Sequence, residues 1–279
     1  MPAPRRPRSN LQLRIISAVV LGFAVLLITY FGGLPFRLMG AAMAGAIFYE
    51  WCAMRPERGA SMHTVLGGTL LAAVMTLMVF DQSASMLFLG LAAALFILAM
   101  HGWASRTGFG MVAGLAYAAA PTLALVHLRA DDRSGLFAIL FLFAVVWTTD
   151  IMAYFTGRTL GGAKLAPSIS PGKTWSGAVG GTVFAVLAGG AFALHESAAH
   201  GTVLIALIAL VLAVISQIGD LFESALKRRS GIKDSSNLIP GHGGVMDRVD
   251  GLMAAALALY LLAALLGGGD YPAHALFRF

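Results

Sequence analysis

Long apolar runs alternate with short polar islands along the whole chain, and the runs are too long and too uniform to be one face of a soluble helix. A helix needs about 20 residues to cross the hydrocarbon core of a bilayer. Segments near that length lie at 15–32, 36–53, 62–80, 85–101, 109–128, 135–156, 175–195, 202–222 and 246–267. The pattern predicts an all-α, polytopic integral membrane protein with about nine transmembrane helices. Gly, Pro or polar residues interrupt the runs at 36–53, 109–128 and 175–195, with Pro121 inside the second of these. The first run follows the basic stretch MPAPRRPRSNLQLR, as a signal peptide would. No small-residue cleavage site before a polar region follows it, so a retained span is expected.

Composition narrows the class. Of 279 residues, 58% are hydrophobic and 11% charged, against about 25% charged in soluble domains, and mean hydropathy is +0.82. An ordinary soluble domain is excluded. If the N-terminus is cytoplasmic, the outer segments hold only Arg37, Arg129, Arg133 and Arg278, and the other 15 of the 19 Lys and Arg fall inside, as the positive-inside rule expects. Topology then accounts for most of the net charge of +6, and no nucleic-acid partner is implied. Anionic headgroups and anionic cytoplasmic substrates are the natural partners of the basic face. Cys52 is the single cysteine and is expected to be a buried structural thiol.

Residues 1–130 read as N-terminal membrane helices with little chemistry. Glu50 is the one acid embedded in an early span, and a local ion pair with Arg55 or Arg58 is expected. Residues 131–279 differ: Asp150, Asp220, Glu223, Asp247 and Asp250 all fall inside or at the ends of predicted helices. Ionisable groups there are costly and mark sites or pathways. Two polar loops, 157–174 and 227–245, emerge on the same, cytoplasmic, face.

Three stretches carry candidate chemistry. In SQIGDLFESALKRR, the residues Ser216, Asp220, Glu223, Ser224 and Lys227 recur at helical spacing and share one side. In PGHGGVMDRVD, Asp247 and Asp250 occupy the first turns of a helix, where its positive end favours carboxylates. Gly241, Gly243 and Gly244 before them would let a phosphate approach backbone N–H groups. Hard oxygen ligands such as Asp220 and Asp247 suit Mg²⁺, which takes few carboxylates plus substrate phosphates. Lys227, Arg228, Lys233 and Arg248 can neutralise several phosphates, and His242 lies among them. The third stretch, DIMAYFTGR, places Asp150 and Tyr154 on one helical face. It leads into a basic loop with Lys164, Ser168, Ser170, Lys173 and Thr174. PGKT in that loop is not a P-loop, because Pro167 stands where the motif needs Gly. HESAAH has its histidines five apart, so no zinc site is assigned. Gly177, Gly180 and Gly181 have the small-residue spacing of close helix packing.

Thirteen positions among residues 224–250 resemble the C-terminal signature of phosphatidate cytidylyltransferases, also called CDP-diacylglycerol synthases. They are Ser224, Lys227, Arg228, Lys233, Asp234, Pro240, Gly241, His242, Gly243, Gly244, Asp247, Arg248 and Asp250. The upstream SQIGD and DIMAYFTG are similar to the same family. Where that family's middle loop usually has Glu, this chain has Ser176. The resemblance implies a reaction of CTP with phosphatidic acid that gives CDP-diacylglycerol and pyrophosphate, with Mg²⁺ and with CTP reaching the site from the cytosol. On that reading Asp220 and Asp247 hold the metal, and Lys227, Arg228 and Arg248 act on phosphates beside Asp250. Asp150, Tyr154, Ser170, Lys173, Thr174, Ser224, Lys233, Asp234, His242, Gly243 and Gly244 contact substrate. A bacterial inner-membrane location and a homodimer are implied by the resemblance alone. A transferase using CTP on a polyprenyl or ether-lipid phosphate, or a transporter, are the other readings. A transporter would place its ionisable residues near the bilayer midplane between repeated halves.

Overall fold

An α-helix lies at each of the nine apolar runs in the structure, a computed structural model that describes residues 10–55, 62–239, 243–268 and 271–279. In chain order these are α1 (Asn10–Phe31), α2 (Gly33–Ala53), α3 (Met62–Val79), α4 (Ala84–Ala104), α5 (Gly110–Arg129), α6 (Arg133–Leu160), α7 (Trp175–Ala191), α8 (Thr202–Arg229) and α9 (Met246–Ala263). Among the described residues, seven of them, α3 to α9, are long and apolar enough to cross a membrane. The chain is therefore a polytopic integral membrane protein. Helix α2 falls short because Arg37 and Glu50 lie inside it, and α1 contributes a shorter apolar stretch, Val19–Phe31. Pro121 sits within α5 without ending it.

One segment expected to be loop is ordered differently. Between α6 and α7 the chain forms a two-stranded antiparallel hairpin, β1 (Lys164–Ala166) and β2 (Ser170–Thr174), with Lys164 opposite Thr174 and Ala166 opposite Ser170. Gly161 and Gly162, at φ +61° and +103°, stop α6 and turn the chain into β1. Thr174 then caps α7, its Oγ1 accepting from Gly177 N at 3.1 Å.

Apolar side chains bury themselves in two clusters. One joins α6, α8 and α9 through residues such as Phe141, Leu142, Leu212 and Leu259, and takes in Phe36 and Leu128. The other joins α2 to α5 through Ile47, Leu71, Leu98 and Leu115, and takes in Met246 and Met253 of α9. Each cluster thus draws residues from both sides of residue 130. Helices α6 and α7 meet backbone to backbone. A Cβ on Gly177 would come within 2.7 Å of Ala153 O, one on Gly181 within 2.6 Å of Thr149 O, and one on Gly157 within 2.7 Å of Thr174 Oγ1. The glycine spacing is a packing device, as its pattern predicts.

Candidate active site

The polar residues of the second half gather where α6, α8 and α9 meet the hairpin. The long polar stripe of α8 supplies Asp220, Glu223, Ser224 and Lys227, and β2 supplies Lys173. Lys173 Nζ lies 2.5 Å from Asp220 Oδ2, and Ser224 Oγ donates to Asp220 Oδ1 at 3.4 Å. Asp150 on α6 and Asp250 on α9 are close enough to Asp220, and to each other, for their charges to repel. Beside this group opens a cavity of about 620 Å³, lined by Asp150, Tyr154, Arg158, Lys164, Lys173 and Asp220 among others. Arg158 donates to Tyr154 Oη at 2.9 Å, which ties two lining side chains together.

A second group surrounds Lys227. Its ammonium lies 2.7 Å from Glu223 Oε2 and 2.6 Å from Asp247 Oδ1. Glu223 is fully buried. Asp247 also accepts from Ser235 N at 3.0 Å, Ser235 Oγ at 3.1 Å and Gly244 N at 2.8 Å. Three donors, Lys227 and the amides of Ser235 and Gly244, hold its carboxylate outright, and the Ser235 hydroxyl, with one proton, serves either Asp247 or Glu50. No hydrogen bond or ion pair joins Asp220 to Asp247 among the described residues. The two groups meet instead where Asp250 feels both Asp220 and Glu223.

Several sequence expectations change here. Glu50 does not pair with Arg55: it is fully buried and accepts from Val245 N and Met246 N, at 2.8 and 2.7 Å, and from Ser235 and Ser236. Arg58, its other expected partner, lies outside the described residues. Gly244 does not clear space for a phosphate. A Cβ there would fall 1.9 Å from Ser235 Oγ and 2.5 Å from Glu50 Oε1, so protein atoms already fill the space. Gly243, at φ +84°, has Asp247 Oδ2 2.7 Å from where its Cβ would be. Thr174 lies on the cavity wall, but it is largely buried and its hydroxyl is spent capping α7. Ser176, at the position where the resembled family has Glu, donates to Gly161 O and closes the hairpin on the end of α6. Ser170 pairs with Ala166 at the start of β2. Arg228 donates from Nε to Ile169 O and from Nη1 to Ile232 O, both at 3.2 Å, so it straps the hairpin to the loop after α8. Lys233, Asp234 and Arg248 are exposed. Pro240, Gly241 and His242 lie outside the described residues. Cys52 is half-buried and free.

The donor set is chemically lopsided. Lys227 is shared by Glu223 and Asp247, and Asp150 and Asp250 crowd beside the Lys173–Asp220 pair, with Arg158 and Lys164 on the cavity wall; such a cluster of carboxylates suits a cation. No three acids, histidines or cysteines among the described residues converge tightly enough to chelate a metal by themselves. A Mg²⁺ ion shared between one or two carboxylates and substrate phosphates needs no such trio.

Comparisons with known proteins give the family. A model of the cytidylyltransferase family matches residues 12–266. The phosphatidate cytidylyltransferase of Brucella suis biovar 1 is 48% identical over 271 residues, covering 97% of this chain and all of that protein. The phosphatidate cytidylyltransferase of Bacillus subtilis is 34% identical over 268 residues, covering 92% of this chain and 98% of that protein. The one from Pseudomonas aeruginosa is 45% identical over 136 residues, 48% of this chain and 49% of its own.

Proposed function

Because the chain belongs to the cytidylyltransferase family, we propose that it transfers the cytidylyl group of CTP to phosphatidic acid, releasing pyrophosphate and leaving CDP-diacylglycerol in the membrane. The observation that carries this reading is the Lys173–Asp220 pair on the wall of a cavity large enough for a headgroup, at one end of a bundle of membrane helices.

The chemistry asks little of a general base. A phosphomonoester has a second pKa of about 6, so the phosphatidate oxygen that attacks the α-phosphorus of CTP is already anionic near neutral pH. Bringing two anions together in line is the main barrier, and positioning with charge neutralisation lowers it. Lys173, Arg158 and Lys164 line the cavity and bind phosphate oxygens there. Lys227, Arg248 and Lys233 take the triphosphate, and the pyrophosphate leaves toward the exposed loop after α8. Asp220 and Asp247 are the acids that would hold Mg²⁺, which supplies charge neutralisation at the phosphates when bound. Each of these acids now carries a lysine ammonium, and with Mg²⁺ held by either acid the lysine beside it would be released to bind phosphate. Asp250 and Asp150, crowded beside Asp220, orient the cations that gather there. CTP comes from water and the lipid from the bilayer, so this end of the bundle faces the cytoplasm, in a bacterial inner membrane.

Purified protein in phosphatidate-containing vesicles, given radiolabelled CTP and Mg²⁺, should place label in the organic phase as CDP-diacylglycerol and lose this activity reversibly with a chelator. Absence of lipid-bound label rejects the reading, and transfer only to a polyprenyl or ether-lipid phosphate reassigns the acceptor.

A further inference from the structure

We infer that Glu50, on the N-terminal side of the molecule, is a positioning residue for the transfer reaction, acting through Ser235 on Asp247. The inference rests on the cytidylyl-transfer reading above. Glu50 sits near the C-terminal end of α2, fully buried, and no ion pair reaches it among the described residues. Oε1 accepts from Val245 N at 2.8 Å and Ser236 Oγ at 2.6 Å; Oε2 accepts from Met246 N at 2.7 Å and Ser235 Oγ at 3.1 Å. Each oxygen therefore takes one amide and faces one hydroxyl, and Ser235, with a single proton, donates to either Glu50 or Asp247.

The two amides belong to the start of α9, where N–H groups have no partner inside the helix and the dipole favours an anion. Val245, at the N-cap position, offers no side-chain cap. Glu50 does that work from another helix, with a separation of 196 residues to Met246. It also reaches the site. Ser235 Oγ lies 3.1 Å from Glu50 Oε2 and 3.1 Å from Asp247 Oδ2, and the adjoining Ser235 N donates to the same Asp247 oxygen at 3.0 Å. Gly244 is clamped between Ser235 and Glu50 with no room for a side chain, and its N–H donates to Asp247 at 2.8 Å. A shift of Glu50 therefore moves two of the donors that aim Asp247.

Glu50→Gln tests this, because either orientation of the amide turns an NH₂ group toward a backbone N–H. In the full chain, reconstituted in phosphatidate vesicles, kcat should fall by about tenfold or more, while KM for CTP changes by less than about threefold. Amide hydrogen exchange should rise at residues 243–247 and stay unchanged in α6 and α7. A kcat within about twofold of the parent in folded protein, or a uniform rise in exchange across all helices, overturns the inference. If Glu50→Gln does not fold, Ser235→Ala decides: it removes the bridging hydroxyl, kcat should fall by about fivefold, and an unchanged kcat again overturns the inference. If the parent protein forms no CDP-lipid, the cytidylyl-transfer reading fails, and the exchange comparison alone decides whether Glu50 holds the 243–247 segment.

Discussion

The two ends of the helix bundle handle charge in opposite ways. At the end where α2 begins and α5 finishes, Arg37 pairs with Asp81 at 2.7 Å and approaches Asp131 at 3.7 Å, His274 pairs with Asp132, and Arg129 spends its guanidinium on the carbonyls of Thr29, Tyr30, Ala130 and Asp132. A cavity of about 520 Å³ opens there too, but acids and bases along its wall are matched. At the other end Lys227 is shared by a buried Glu223 and Asp247, Lys173 pairs with Asp220, Asp150 and Asp250 crowd beside that pair, and the cavity wall adds Arg158 and Lys164. Matched charges fasten loops. Unmatched ones, beside a cavity, are left for a ligand to complete. Cavity size alone does not separate the two ends; charge balance does.

Substitutions at the two ends should separate them sharply. Asp220→Asn should lower cytidylyl transfer by about 10³-fold, since it removes an acid directly facing the charged reactants, while the protein remains monodisperse in detergent. Lys173→Met should cost about 10²-fold in kcat/KM and leave the thermal midpoint nearly unchanged, because the Lys173–Asp220 pair is part-exposed and contributes little to stability. Arg228→Ala should cost about tenfold in turnover by freeing the hairpin from the loop after α8, which limited proteolysis near Ile169 would report. Asp81→Asn, at the matched end, should alter activity by less than about twofold and stability by no more than about 1 kcal/mol, since Asp81 is 72% exposed. If Asp81→Asn disabled the enzyme as Asp220→Asn does, the contrast between the ends would collapse.

Local pattern made most of the helices legible. Runs of apolar residues near membrane length have no stable alternative to helix in a bilayer, so among the described residues a helix lies at each run read, seven of them long and apolar enough to cross a membrane. The stripe on α8 was legible for the same reason, since helical period alone puts Glu223 and Lys227 together. The hairpin was not, because strands of three and five residues containing Pro171 and Gly172 carry no alternating signal. Glu50 was misjudged because its partners lie more than 180 residues away, and sequence proximity offered Arg55 instead. Spacing places Asp247 and Asp250 on one helical face, but not which of them meets Asp220. Helix rotation and the loop holding Asp247 decide that, and neither is written in the local pattern.

The glycine seam between α6 and α7 has a bearing on engineering the acceptor. Gly157, Gly177, Lys173 and Thr174 all line the cavity, so one of its walls is set by a crossing of α6 and α7 that admits no methyl group. Widening the chamber for a bulkier lipid phosphate by trimming its lining leaves that wall fixed. Adding one carbon at Gly157 or Gly177 would wedge the helices apart and swing the lysine away from its acid, turning a change of specificity into a loss of catalysis.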